Sequence, residues 1–81
     1  MEIKYSQTYY QGYKLLSRSD RQLVNDTINL FYHNPQDPVL ENHPLKKPMT
    51  GRRAISARDD LRIIFREKGD YMEVLMLDVW D

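Results

Sequence analysis

The chain contains no cysteine, which excludes disulfide staples and thiolate metal sites and fits a reducing cytoplasm. No apolar run approaches the roughly 20 residues needed to span a bilayer, and the opening stretch MEIKYSQTYY lacks the apolar core of a secretion signal. Together these absences predict a cytoplasmic protein with no membrane partner. Its three glycines never gather into a phosphate-cradling loop. Its two histidines, His33 and His43, stand ten residues apart without a metal-ligand spacing. Neither a metal nor a small-molecule cofactor is therefore expected. There is no internal repeat and no low-complexity tract.

What is present suits one small domain covering residues 1–81, with 41% hydrophobic and 30% charged residues. A domain of this size buries only about 60–65% of its unfolded surface, so its core is simple. The formal net charge is zero, but its distribution is uneven. Residues 43–68 hold eight cations (Lys46, Lys47, Arg52, Arg53, Arg58, Arg62, Arg66, Lys68) against three acids. Residues 69–81 hold four acids, Asp70, Glu73, Asp78 and Asp81, and no cation. Such a block can present a local positive field on a neutral protein. Alternatively, the two blocks neutralise one another across neighbouring strands.

Glu2 to Tyr5 alternates polar and apolar residues, as a short strand does. Ser6 can cap a following helix whose Tyr9, Tyr10, Tyr13 and Leu16 share a face. Ser19 and Gln22 read as a capping box that starts a second helix near Asp20. Leu23, Thr27, Ile28 and Phe31 form its buried stripe, and Asn34-Pro35 ends it. Residues 35–50 are a loop with four prolines, anchored by Val39, Leu40 and Leu45. Three strands follow: Arg52 to Arg58, Leu61 to Glu67 and Tyr71 to Trp80. Asp59-Asp60 and Lys68-Gly69-Asp70 are the turns between them.

This order predicts an α+β fold, β-α-α-β-β-β, with a two-helix hairpin on one face of a small, mainly antiparallel sheet. Alternation puts Ile55, Ala57, Leu61, Ile63 and Phe65 under the helices. Ala54, Ser56, Arg58, Arg62, Ile64 and Arg66 then occupy the helix-free face, which is expected to be the basic one.

Four motifs give the chain a family resemblance: N-P-x-D-P in Asn34 to Pro38, N-H-P-L-K in Asn42 to Lys46, G-x-R-x-I in Gly51 to Ile55, and D-L-R-I-I-F in Asp60 to Phe65. Their order and spacing resemble the RelE/ParE superfamily of bacterial toxins over almost the whole chain. The H-P-L and D-L-R-I-I-F segments are closer to the mRNA-cleaving RelE and YafQ branches than to the ParE gyrase poisons. The resemblance implies a ribosome-dependent endoribonuclease that cuts mRNA and is silenced by an antitoxin wrapping an extended helix or strand around it. Its metal-independent mechanism needs a base for the 2′-hydroxyl proton, cations for the charged phosphorane and an acid for the leaving 5′-oxygen.

Carried onto this sequence, the resemblance makes Arg62, His43 and Asp60 the catalytic candidates. Arg62 would face the scissile phosphate, a task suited to a guanidinium. Lys46, Lys47, Arg52, Arg53 and Arg58 are the candidate RNA contacts. Two departures stand out. Ala54 and Ser56 occupy positions where relatives place lysine or histidine, and neither transfers protons near neutral pH. The chain also stops at Trp80-Asp81, where the family continues into a histidine- or tyrosine-bearing tail. The alternatives are a degraded or truncated module that binds an antitoxin without cleaving RNA, and a ParE-like gyrase inhibitor.

Overall fold

The computed structural model describes residues 2–79. The expected end of the last strand at Trp80, and the stop at Trp80-Asp81, lie outside the described residues. In chain order the elements are β1 (Glu2–Tyr5), α1 (Gln7–Leu15), α2 (Arg18–His33), a 3₁₀ turn (Pro38–Leu40), β2 (His43–Pro44), β3 (Arg53–Arg58), β4 (Leu61–Lys68) and β5 (Tyr71–Val79). The five strands form one sheet in the order β1-β5-β4-β3-β2. Only the β1–β5 pair is parallel; the others are antiparallel. This is the expected α+β arrangement with one addition. The two-residue strand β2 pairs His43 with Ala54 and Pro44 with Arg53. Two residues carry no periodicity, and proline, lacking an amide proton, fits only such an edge.

Ser6 joins the first strand to the first helix by three bonds. Its amide donates to Val74 O at 2.9 Å, its hydroxyl donates to Leu75 O, and the same oxygen accepts from Tyr9 N at 3.1 Å. That last bond is the N-cap of α1. Ser6→Ala is expected to lower unfolding free energy by about 1–2 kcal/mol, seen as a lower urea midpoint at unchanged slope.

Helix α2 begins earlier than the sequence suggested. Ser17, not Ser19, is its N-cap, with its hydroxyl accepting from Asp20 N at 3.1 Å. Both serines have a capping partner three residues on. Choosing Ser17 lengthens the helix and sets Asp20 in the first turn, where the helix dipole favours an anion. The end at Asn34 is as expected, its amide donating to Leu30 O at 2.7 Å.

The buried stripe of α2 is Val24, Thr27, Ile28 and Phe31: three of the four expected residues, with Val24 buried where Leu23 was expected. These residues meet Ile55, Leu61, Ile63, Phe65 and Val74 of the sheet. Phe31 and Phe65 touch with ring centroids 4.7 Å apart, joining α2 to the middle of β4. From α1, Tyr9 enters the core while Tyr10 stays half exposed. Leu40 is buried from the 3₁₀ turn, but its neighbour Val39 is exposed and anchors nothing.

Two bulges re-aim the strands. Between β3 and β4, Ser56 pairs with Arg62, but the next partners are Arg58 and Leu61, leaving Ala57 as the extra residue. Between β4 and β5, Ile64 pairs with Met76 and Phe65 with Val74, leaving Leu75 extra. A bulge of one residue flips the alternation beyond it. Arg58, expected on the helix-free face, is thereby moved to the helix side in register with the buried Leu61.

Candidate functional site

Paired residues of an antiparallel ladder project to the same face, so the register defines what the helix-free side carries. One row runs His43, Ala54, Ile64, Met76 across β2, β3, β4 and β5. The next row runs Ser56, Arg62, Asp78. A third holds Arg66 and Glu73, followed by Lys4 of β1. His43 and Arg62, far apart in sequence, thus stand on one face in adjacent rows. Arg62 Nε is screened from solvent.

The expectation of a bare basic plane needs correcting. Ala54 and Ile64 are fully buried, giving the face an apolar centre. Arg66 Nε donates to Glu73 Oε1 at 2.8 Å, and Arg62 lies opposite Asp78. The acids of β5 therefore match the arginines of β4, the cross-strand neutralisation that the charge blocks also allowed. The excess positive charge sits instead at the β2–β3 end. There residues 45–52 close on themselves through Leu45 N to Arg52 O (2.9 Å), Met49 N to Lys46 O (2.9 Å) and Arg52 N to Met49 O (3.1 Å). Gly51, at φ 92°, supplies the left-handed backbone this turn needs. Among the described residues Lys46, Lys47 and Arg52 form no ion pair.

Other candidates are held by the fold. Arg53 is in register with Phe65, hence on the helix side, and its Nε donates to Asn42 Oδ1 at 2.8 Å. Asn42 in turn donates to Pro35 O at 3.1 Å, tying the exit of α2 to β3. Arg58 grips both carboxylate oxygens of Asp20 and donates from Nε to Asp60 Oδ1. Asp60, a sequence candidate for catalysis, therefore has its carboxylate engaged in this ion triad. Ser56 donates to Arg58 O at 2.9 Å, clasping the bulge. His33 is on α2, its Nδ1 donating to Asn29 O at 2.9 Å. Nothing in the sequence marks Asn42 as a clamp or Asp20 as the partner of Arg58. Bulges have no local signature that would announce them.

The hydrogen bonds and charge of Arg58 hold the Asp20 carboxyl below the usual carboxylate range. Because this folded-state value is depressed, its stabilisation is complete above the unfolded pKa of about 3.9 and is lost as pH falls through the folded value. Asp20→Asn is expected to flatten the acid limb of stability below about pH 4, read from urea midpoints over a pH series. An unchanged acid limb would contradict the assignment.

The fold can be set beside solved structures. No family model and no curated protein sequence matches the chain. YafQ from E. coli strain BL21(DE3) superposes with a TM-score of 0.82 at 21% identity, covering 96% of this chain and 91% of that one. A YoeB/ParE toxin from Agrobacterium tumefaciens gives a TM-score of 0.77 at 21% identity, with both chains covered fully. The chain has the RelE/ParE toxin fold. An E. coli DinJ-YafQ toxin-antitoxin complex holds another copy of it, at a TM-score of 0.78 and 20% identity, covering 96% of this chain and 90% of that one. Several motif residues that carried the resemblance have structural work within the RelE/ParE fold. Asn34-Pro35 stops α2, Asp37 caps the 3₁₀ turn through Val39 N at 3.0 Å, Asn42 clamps Arg53, and Gly51 makes the loop turn.

Proposed function

We propose that the chain is the toxin of a toxin–antitoxin pair, acting in the cytoplasm to cleave mRNA on the ribosome. One observation carries this reading: His43 and Arg62 share the helix-free face in adjacent rows, and the loop that holds Lys46, Lys47 and Arg52 leaves the sheet on the His43 side, from the Pro44–Arg53 pair. In this reading the RNA backbone follows the β2–β3 loop, whose cations hold phosphates that flank the cut. His43 takes the proton of a ribose 2′-hydroxyl, and the freed 2′-oxygen attacks the adjoining phosphorus. Arg62 offsets the charge that builds on the non-bridging oxygens. The bond from phosphorus to the 5′-oxygen breaks, leaving a 2′,3′-cyclic phosphate and a 5′-hydroxyl. No step requires a metal ion.

Water supplies the proton for the 5′-oxygen in this scheme. Ala54 has none to give, and the Ser56 hydroxyl is committed to Arg58 O. A missing acid typically costs 100- to 10,000-fold, so turnover is expected to be slow. The partner that silences the protein is an antitoxin, as DinJ partners YafQ. Asp60, Arg53 and Arg58 act in folding rather than on RNA.

A second reading, an antitoxin-binding module that cleaves nothing, is favoured by the same small residues beside Arg62. Expression in growing cells separates the readings. Growth arrest with mRNA cut at translated codons, relieved by the antitoxin, supports the nuclease. Arrest with SOS induction and intact mRNA points to gyrase, and no arrest points to the silent module. In the isolated protein, Lys46→Gln with Lys47→Gln is expected to weaken binding to a single-stranded RNA oligonucleotide. The slope of log affinity against log salt should fall by about 1.4, roughly 0.7 for each phosphate that the two lysines neutralise. An unchanged slope would place the RNA elsewhere.

A further inference from the structure

The segment leading into His43 has one unusual backbone. Glu41 follows the 3₁₀ turn at φ 50° and ψ 43°, the only non-glycine positive φ among the described residues. The left-handed region costs an ordinary L-residue roughly 1–2 kcal/mol, so its surroundings must impose it. They do so from both sides. Before it, Leu40 is buried in the core and Asp37 caps the turn through Val39 N. The Glu41 amide donates to Pro38 O at 3.1 Å. After it, Asn42 is clamped between Pro35 O and the Arg53 guanidinium. The peptide plane between Glu41 and Asn42 has little room to turn.

That plane sends the Glu41 carbonyl oxygen to His43 Nδ1, at 2.8 Å. A carbonyl only accepts, so the imidazole nitrogen facing it must carry the proton. The lone pair is then on Nε2, at the far end of the ring. Neutral histidine in water favours the opposite tautomer, with the proton on Nε2, which has no basic nitrogen at the ring tip.

We infer that Glu41 is a positioning residue: its left-handed backbone fixes His43 as the Nδ1–H tautomer and presents Nε2 as the proton acceptor on the helix-free face. The inference deepens the nuclease reading and gives His43 its role there. When Nε2 takes the 2′-hydroxyl proton, the O–H bond is exchanged for an N–H bond. The imidazolium that forms keeps its Nδ1–H on the Glu41 carbonyl, which stabilises the positive charge. The Glu41 side chain takes no part, as the contact is through the main chain.

The test reads the tautomer itself, which a merely structural role would not set. In ¹⁵N-labelled parent protein above the histidine titration, long-range ¹H–¹⁵N spectra should show the His43 proton on Nδ1. Glu41→Gly and Glu41→Asn tolerate a positive φ and should keep that signature. Glu41→Val, whose branched side chain resists it, should lose the signature, and kcat for RNA cleavage on ribosomes should fall about tenfold with KM little changed. A parent His43 carrying its proton on Nε2 would overturn the inference whether or not any variant folds. So would a folded Glu41→Val that keeps Nδ1–H. A parent with Nδ1–H but no RNA cleavage would sink the nuclease reading while leaving the backbone control of His43 standing.

Discussion

Arg62→Ala is expected to lower RNA cleavage about 100- to 1,000-fold and to leave the domain folded. A fixed donor aimed at developing negative charge is worth that much, because no reorganisation is needed as the charge appears. Arg62 sits on β4 between Ser56 and Asp78, on the face the helices do not cover. Asp78 stands across the ladder from it, and for partly exposed charges the loss of one such neighbour costs at most about 1 kcal/mol. Arg62→Lys should recover only part of the activity, since an ammonium cannot offer two parallel bonds to a phosphate. Toxicity and thermal unfolding measured together decide the matter. Undiminished toxicity at equal expression would reject Arg62 as the phosphate-facing group.

Phe65→Ala, three residues further along the same strand, should do the reverse and weaken the fold itself. Phe65 is 1% exposed and its ring meets that of Phe31 of α2 at a tilt of 54°, so truncation opens a cavity where helix and sheet meet. Such a change costs about 3–5 kcal/mol, against a total of about 5–15 kcal/mol for a small domain. A large share of the stability would go, and activity would fall with the folded fraction. Urea unfolding followed by circular dichroism checks this; a loss under about 1 kcal/mol would mean that the junction is not the core. The two substitutions lie on one strand but on opposite faces. Together they test the division between a helix-bearing layer that holds the fold and a far layer proposed to act.

Much of that division is legible in the sequence. The alternation of Leu61, Ile63 and Phe65 against Arg62 and Arg66 sets the faces of β4, and local periodicity suffices wherever a strand is regular. The cap at Ser6 and the stop at Asn34-Pro35 are also legible, because each is written in a few adjacent residues. The start of α2 lies two residues before its sequence expectation, since two serines offer equivalent caps. The site is less legible. Arg58 reads as an RNA contact until the bulge at Ala57 turns it towards Asp20. Arg53 reads as another until register places it with Phe65 and Asn42 takes its guanidinium.

By itself, the sequence determined the order of the two helices and the four longer strands, the α+β class and the burial of one side of the central strands, all consequences of short-range pattern. Tertiary structure alone decided which cations remain available. Ion pairing depends on register across strands and between helix and sheet, and one extra residue in a ladder reverses it. It also decided the tautomer of His43, because the Glu41 carbonyl is aimed by contacts from the core, the α2 exit and β3 at once.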